Sequence, residues 1–131
     1  MTRLLNVLVF ALAPSFLSGC GDTKPTTPAS QAWKESLEDL GRYLKSAAAD
    51  GVKPPAKMAD LDAIDPAIPM AGTAIRNGDI VYLWGSGYVA GGNKIVAHEK
   101  NAATEGGSVL LQDGTVTKMS AAEFQAAPKA K

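Results

Sequence analysis

The chain of 131 residues has one cysteine and one histidine, and it carries 13 basic and 13 acidic side chains. A single cysteine excludes an internal disulfide, and a single histidine leaves little for nucleophilic catalysis, which needs a general base. The balanced charge provides neither a basic patch for nucleic acid nor an acidic tail for a cationic partner. Aromatic residues make up only 6% of the chain, so we expect a modest aliphatic core. We therefore predict no enzyme, no cofactor and no nucleic-acid partner.

One long apolar run is present, from Leu4 to Phe16 at the N-terminus, and it follows the basic residue Arg3. A short basic segment before an apolar segment of this length is typical of a secretory signal peptide. A bilayer-spanning helix needs roughly 20 apolar residues, and Pro14 would disturb such a helix. A retained transmembrane anchor is therefore the weaker interpretation.

The end of this run resembles the lipobox of bacterial lipoproteins: Leu17, Ser18, Gly19 and Cys20. In that family, signal peptidase II recognises such residues and cuts before the cysteine, whose thiol carries acyl chains. The resemblance implies a signal peptide at residues 1–19 and a lipidated N-terminus at Cys20. The alternative for a lone cysteine is a buried, inert thiol. However, the polar residues 21–25 cannot form a core around it.

The residue after the lipobox bears on location. In well-studied diderm bacteria, an Asp directly after the cysteine tends to hold a lipoprotein at the inner membrane. Gly21 occupies that position here, and Asp22 follows it. The resemblance implies attachment to the membrane through the lipid on Cys20, with the protein at the outer membrane and facing the periplasm.

The composition divides the mature chain into three parts. Residues 20–31 are rich in Gly, Thr, Pro and Ser and predict a flexible tether. Residues 32–126 are enough for one small domain. Residues 127–131 are expected to be a frayed tail.

An amphipathic helix is predicted from Ala32 to about Ala49, because apolar residues recur there in steps of three and four. These residues are Trp33, Leu37, Leu40, Leu44 and Ala47 or Ala48. Gly51 suits the left-handed position that ends a helix, and Pro54-Pro55 prevents continuation. A short helical segment is expected at residues 57–64, closed by Pro66 and Pro69.

Beyond Pro69 the pattern changes to a period of two, which predicts strands at residues 79–85 and 94–99. A Gly-rich connection, residues 85–93, joins them. Asp113-Gly114 between two β-favouring runs predicts a hairpin with a two-residue turn. That turn would pair Leu111 with Val116.

The same turn would pair Gln112 with Thr115 and Leu110 with Thr117. Ser120 and Glu123 then form a capping box, which predicts a short helix that buries Phe124. The fold class is therefore α+β, with an N-terminal amphipathic helix packed on an antiparallel meander of about four strands. The meander ends in the Asp-Gly hairpin and the short helix.

Two segments resemble the soluble heads of planctomycete pilin-like proteins, which often carry a prepilin-associated His to Asp-Gly domain. One is residues 37–44 with the Pro-Pro loop at 51–55, and the other is residues 98–116. The chain departs from that pattern because its hydrophobic run precedes the cleavage site, and Thr115 stands where a second His is common. The resemblance implies a similar globular head and argues against a filament subunit.

Few polar residues are spaced in a way that indicates a metal site or a catalytic site. His98 and Glu99, with Glu105 and Asp113 downstream, are the candidate metal ligands. Neighbouring residues of a strand point to opposite faces, so His98 and Glu99 are not expected to share a metal ion. We interpret His98 as a solvated histidine at a strand edge and predict no metal site.

The remaining acids, Asp39, Asp60, Asp62 and Asp65, are spaced like solvated surface or turn residues, not like a catalytic pair. The run of residues 85–91 is superficially like a phosphate loop. It lacks the strand-to-helix context and the Lys-Ser/Thr ending that phosphate binding needs.

Two hypotheses for function remain. The first is a non-enzymatic structural or protein-interaction module on the cell envelope, with other envelope or secretion proteins as its partners. The alternative is a periplasmic module that binds a small ligand or a metal through residues 85–93 and His98.

Overall fold

The computed structural model describes residues 28–131. The helices are α1 (Pro28–Ala49), α2 (Leu61–Ile64), α3 (Pro69–Arg76), α4 (Ala102–Glu105) and α5 (Ala121–Ala126). The strands are β1 (Ile80–Tyr82), β2 (Ile95–Glu99), β3 (Gly107–Leu111) and β4 (Val116–Met119). The strands form one antiparallel sheet in the order β1-β2-β3-β4. The predicted α+β fold with a four-stranded meander is therefore confirmed.

Helix α1 begins at Pro28, four residues earlier than predicted, so residues 28–31 belong to the helix and not to a tether. Proline is favourable at a helix start because the first turn needs no N–H donor there. The helix ends as predicted. The Val52 N–H donates to the Ala47 carbonyl at 2.8 Å, and Gly51 takes the left-handed φ of 69°. These features form a Schellman cap.

The main core lies between α1, α3 and one face of the sheet. Leu37, Leu40 and Leu44 of α1 are buried there, as the helical pattern predicted. They pack with residues from the other elements: Leu61, Ile68, Ile75, Ile80, Tyr82, Val96 and Leu110. This cluster fixes α1 along the sheet.

Helix α3 was not predicted. Pro69 was interpreted as the end of a helical segment, but it occupies the first position of α3 and follows a 3-10 turn at Asp65–Ala67. Ala71, Ala74 and Ile75 form the buried side of α3. The prediction was wrong because a proline that ends one helix is equally suited to start the next.

The sheet differs from the prediction in strand length and register. Strand β1 has three residues, whereas residues 79–85 were predicted as a strand. The hairpin pairs Leu110 with Val116, one residue away from the predicted pairing of Leu111 with Val116.

The shift in register arises from the turn. The Gly114 N–H donates to the Leu111 carbonyl at 3.0 Å, and Leu111 N–H donates to Thr115 at 2.9 Å. Within the turn, only Gly114 has a positive φ, of 86°, so Asp113 does not take the type I′ conformation. This is a type I turn followed by a glycine bulge, which leaves three residues in the loop instead of two.

Helices α4 and α5 cover part of the opposite face of the sheet. Ile95, Ala102, Val109 and Phe124 form a second buried cluster there. The predicted capping box is present, because the Ser120 hydroxyl accepts from the Glu123 N–H at 3.1 Å and the Glu123 carboxylate accepts from the Ser120 N–H.

The C-terminal residues are paired with the sheet and do not form the predicted frayed tail. The Ala130 N–H donates to the Ile95 carbonyl at 2.8 Å, and the Ile95 N–H donates to Pro128 at 2.9 Å. Ala130 is buried. Lys129 Nζ lies 4.5 Å from the Phe124 ring centroid and donates to the Phe124 carbonyl. The tail therefore pairs with the sheet at Ile95, the first residue of β2.

Candidate protein-interaction surface

Three loops meet at one end of the sheet: residues 51–55, 85–93 and 112–114. The Gly85 N–H donates to the Pro55 carbonyl at 2.7 Å, and the Val89 N–H donates to Gln112 at 2.8 Å. The Gly-rich connection is therefore fastened to a loop on each side. We call this surface the three-loop end.

The Gly-rich loop is also held where it leaves β1. The Tyr82 hydroxyl donates to the Ser86 carbonyl, and the Ser86 hydroxyl donates to Leu83. Tyr82 is buried, and burial raises the pKa of its phenol to about 12. Trp84 packs edge-on against Tyr82, with ring centroids 5.1 Å apart. These contacts fix the conformation of the first part of the loop.

The three-loop end presents apolar side chains to solvent. Val52 is 52% exposed and Val89 is 49% exposed. Beside them lies a hollow of about 70 Å³, lined by Leu44, Ala47, Ala48, Val52, Pro54, Gly87 and Tyr88. Pockets for small molecules usually measure roughly 300–1,000 Å³. The hollow therefore suits one inserted side chain better than a whole ligand.

A polar groove flanks this patch, between α1 and the hairpin turn. It has a volume of about 370 Å³ and is lined by Glu38, Gly41, Arg42, Lys45, Asp113 and Gly114. Gly41 permits the close approach of the two elements, because a Cβ there would lie 2.9 Å from Leu110 Cδ1. Lys45 Nζ lies 6.0 Å from the Tyr88 ring centroid. The groove thus connects the hairpin turn with the aromatic residue of the three-loop end.

Asp113 has a structural role at this groove. Its carboxylate accepts from the Thr115 N–H at 2.9 Å. This hydrogen bond lowers the pKa of Asp113, because it stabilises the ionised form. Asp113 thus holds the turn in place beside the residues of α1 that line the groove.

The candidate metal ligands are not brought together. His98 Nδ1 contacts the Glu99 carbonyl at 2.7 Å, and its ring packs on Phe124 with centroids 4.7 Å apart. The Glu99 carboxylate instead accepts from the Ser108 N–H. Among the residues that the structure describes, no group of three or more His, Cys, Asp or Glu residues is placed to hold a metal ion.

His98 also differs from its predicted environment. It lies on β2, which is an inner strand of the sheet, and it is half-buried. The prediction of a solvated strand-edge histidine was wrong, because α5 brings Phe124 over this position. The Gly-rich loop meets the first core cluster through Tyr88. His98 instead packs on Phe124, which belongs to the second buried cluster.

The four other acids bind backbone groups or arginine. Asp39 was predicted to be solvated but is buried, and it accepts from the Ala71 N–H at 3.3 Å. Asp60 accepts from two backbone N–H groups, of Ala56 and Lys57. Asp62 and Asp65 both bind Arg76, at 2.9 and 2.6 Å. All four carboxylates have structural partners.

Sequence reasoning missed the roles of two residues. Asp39 was predicted to be a solvated surface or turn residue, and its partner helix α3 was absent from the prediction. Tyr82 was placed on a strand, but its bond to Ser86 depends on the conformation of the loop. The helical spacing of Ile68, Ala71 and Ile75 was the available signal for α3.

The four residues predicted to form a lipobox lie outside the part of the chain that the structure describes: Leu17, Ser18, Gly19 and Cys20. Within residues 28–131, no helix combines the length and the apolar character needed to cross a bilayer. No protein-family model, no curated protein and no solved structure matches the chain.

Proposed function

We propose that this chain is a lipid-anchored protein of the bacterial cell envelope that acts through protein–protein contact. The observation that carries the proposal is the resemblance of residues 17–20 to a lipobox. Cys20 lies eight residues before the start of α1. Acyl chains on Cys20 would attach the protein to the outer membrane on its periplasmic side. A multiply acylated cysteine gives stable anchoring without a transmembrane helix.

The chemistry of the head supports a non-enzymatic role. Described carboxylates that were candidates for catalysis or metal binding accept structural hydrogen bonds, as Asp39 and Glu99 do. His98 packs on a phenylalanine and makes a backbone contact. These groups stabilise the fold, so we assign no catalytic role to them.

The three-loop end is the surface that we assign to partner binding. Exposed Val52 and Val89 flank Tyr88 and a hollow that fits one side chain. Aromatic anchors beside apolar residues, with polar groups at the rim, are typical of protein interfaces. Arg42 and Lys45 supply such a rim. The partner is another envelope protein, with the secretion or surface-assembly machinery as the first class to search.

Photo-crosslinking in cells tests the assigned surface. A photoreactive residue at Val89 should give a discrete crosslinked product. The same residue at Val81 is the matched control, because Val81 is also an exposed valine but lies on β1, away from the three-loop end. Equal or random products from both positions would contradict the assignment.

Fractionation of cells tests the anchor. The variant Cys20→Ala lacks the thiol that receives the lipid. We therefore expect that the mature, membrane-bound form of the protein is no longer found. Inhibition of signal peptidase II should cause accumulation of the uncleaved chain. A mature, membrane-bound Cys20→Ala protein would contradict lipid attachment.

The alternative of a metal-binding module has its own test. Thermal melting with a panel of divalent metals would show a raised Tm if the folded protein bound one of them. We expect no shift in the wild-type chain. A shift that disappears in His98→Ala would support the alternative and would count against the proposed function.

A further inference from the structure

Strand β4 forms an edge of the sheet. Within residues 28–131 it pairs with β3 on one side and with no strand on the other. In an antiparallel ladder, successive residues alternately bond to the partner strand and direct their backbone groups away from it. The Leu111 N–H donates to the Thr115 carbonyl, which sets the phase of this alternation. The backbone N–H and C=O groups of Val116 and Lys118 therefore point away from β3.

This edge is accessible, and its outward groups are unpaired. In the described part of the chain, the backbone N–H and C=O groups of Val116 and Lys118 make no hydrogen bond. Lys118 is exposed and Val116 is half-buried. At the opposite edge of the sheet, Ile80 and Tyr82 of β1 are buried. Because an open row of N–H and C=O groups is a template for an added strand, β4 is the edge that is suited to strand addition.

A basic groove lies along this edge, between β4 and the first turns of α1. It has a volume of about 190 Å³, and Gln31, Lys34, Val116 and Lys118 are among its lining residues. Lys34 pairs with Glu38 at 3.5 Å, whereas Lys118 makes no ion pair with a described residue. The groove therefore keeps a net positive charge. It shares no lining residue with the hollow or the polar groove of the three-loop end.

We propose that the edge of β4 binds an extended, acidic segment of a partner protein, which adds a fifth strand to the sheet. In strand addition, main-chain hydrogen bonds give affinity and alternate side chains give specificity. A residue that pairs with Lys118 lies on the same face of the sheet as Lys118, so its side chain enters the groove beside Lys34. An acidic side chain at that position meets both lysines.

The charge of β4 favours a different chain over a second copy as the occupant. Strand β4 has one charged residue, Lys118, and no acidic residue, so a second β4 would bring like charge to this edge. The site is separate from the three-loop end, and its occupation does not depend on lipid attachment at Cys20.

Nuclear magnetic resonance on the full chain, purified from membranes in detergent, tests the site. The probe is the peptide acetyl-Thr-Val-Glu-Thr-Val-Thr-amide, and its control has Lys in place of Glu. At a probe concentration of about twice the Kd, hydrogen exchange of the Val116 and Lys118 amides should slow about threefold, because only the free protein exchanges. The lysine peptide should bind about threefold to tenfold more weakly, because like charges directly opposite each other destabilise a strand pair.

Methylation of peptide nitrogens separates strand addition from simple charge attraction. Methyl groups on the nitrogens of Glu and of the second Val remove N–H groups that face β4, so they should abolish binding. A methyl group on the Thr between them lies on a nitrogen that faces away, so it should change binding by less than about twofold. In the protein, Lys118→Gln should remove the preference for the glutamate peptide. The control Lys45→Gln removes a charge from the polar groove of the three-loop end and should retain the preference.

Failure of the glutamate peptide to bind, equal binding of the glutamate and lysine peptides, or equal effects of all the methyl groups would overturn the proposal. Protection of the Val116 and Lys118 amides without any peptide would also overturn it. Protection that rises with protein concentration would assign the edge to a second copy, and protection at every concentration would assign it to another part of the same chain. Crosslinking at Val89 tests the three-loop end separately from these results.

Discussion

Asp39 shows how a single polar residue of α1 supports a second helix. Its carboxylate lies at the N-terminus of α3 and accepts from the Ala71 N–H. Ile68, at the cap position of α3, provides no side-chain hydrogen bond. A carboxylate at a helix N-terminus satisfies a free N–H and interacts favourably with the helix dipole. Asp39 therefore caps α3 from a distant part of the chain.

Replacement of Asp39 should reduce stability. We expect Asp39→Ala to lower the free energy of unfolding by about 1–2 kcal/mol, because the cap is lost and a buried N–H becomes unpaired. Urea denaturation measures the change. The control Glu38→Ala removes an exposed carboxylate from the adjacent position and should stay within about 0.5 kcal/mol of wild type. Equal losses in the two variants would refute the capping role.

Tyr82 is expected to make the stability of the folded protein depend on pH in the alkaline range. Burial raises the pKa of its phenol from 10.0 to about 12, so the folded state favours the neutral form. The resulting stability is fully present below pH 10 and is lost as the pH rises towards 12. We expect Tyr82→Phe to lose less stability over this range than wild type does. Parallel stability curves for the two proteins in urea denaturation at each pH would contradict this prediction.

At the scale of elements, the contact between α1 and the hairpin depends on a small residue. Alanine is a better helix former than glycine by about 1 kcal/mol, so Gly→Ala in an open helix is stabilising. At Gly41 a Cβ would lie 2.9 Å from Leu110 Cδ1 and 3.3 Å from the Gly114 carbonyl oxygen. Leu110 is fully buried and has little room to move.

We therefore expect Gly41→Ala to destabilise the protein by a net amount of about 1 kcal/mol, since overpacking outweighs helix propensity. Thermal unfolding compares it with Ser46→Ala, an exposed position on the same helix that should be neutral or slightly stabilising. A higher Tm for Gly41→Ala than for wild type would contradict the close contact.

The C-terminal segment is a second element with a testable role. Deletion of residues 127–131 removes two backbone hydrogen bonds to Ile95, the buried Ala130 and the contact of Lys129 with Phe124. We expect a loss of about 1–3 kcal/mol in chemical denaturation. Deletion of Lys131 alone is the control and should have no effect. An unchanged stability after deletion of residues 127–131 would contradict this role and would support a frayed tail.

Sequence patterns correctly predicted the elements that are determined by residues close together in the chain. The apolar period gave α1, Gly51 gave its end, and Ser120 with Glu123 gave the start of α5. The hairpin was placed correctly, but its register was not, because Asp-Gly fits both a two-residue turn and a type I turn with a bulge. The pairing of the tail with Ile95 joins distant residues, and no local pattern reports it.

The surface was less predictable than the fold. The sequence indicated the Gly-rich loop and the hairpin turn as separate features. They come into contact at the three-loop end through the hydrogen bond between Val89 and Gln112. The burial of Asp39 likewise follows from the position of α3. Groups that are brought together by tertiary packing carry no spacing signal in the sequence.

At the scale of the whole molecule, the proposed function combines a lipid anchor at Cys20 with a small α+β head whose three loops form a contact surface. Helix α1 begins the described part of the chain, and its last turns line the hollow beside Tyr88. A lipid anchor at Cys20 and a contact surface on the head would let the protein connect a membrane to a partner. Lipidation of Cys20 is the claim on which this arrangement depends.

The intact mass of the protein extracted from native membranes tests that claim most directly. We predict a chain that lacks residues 1–19, begins at Cys20 and carries the added mass of the acyl groups. A chain that retains residues 1–19, or one that begins at Cys20 without acyl mass, would contradict the lipid anchor.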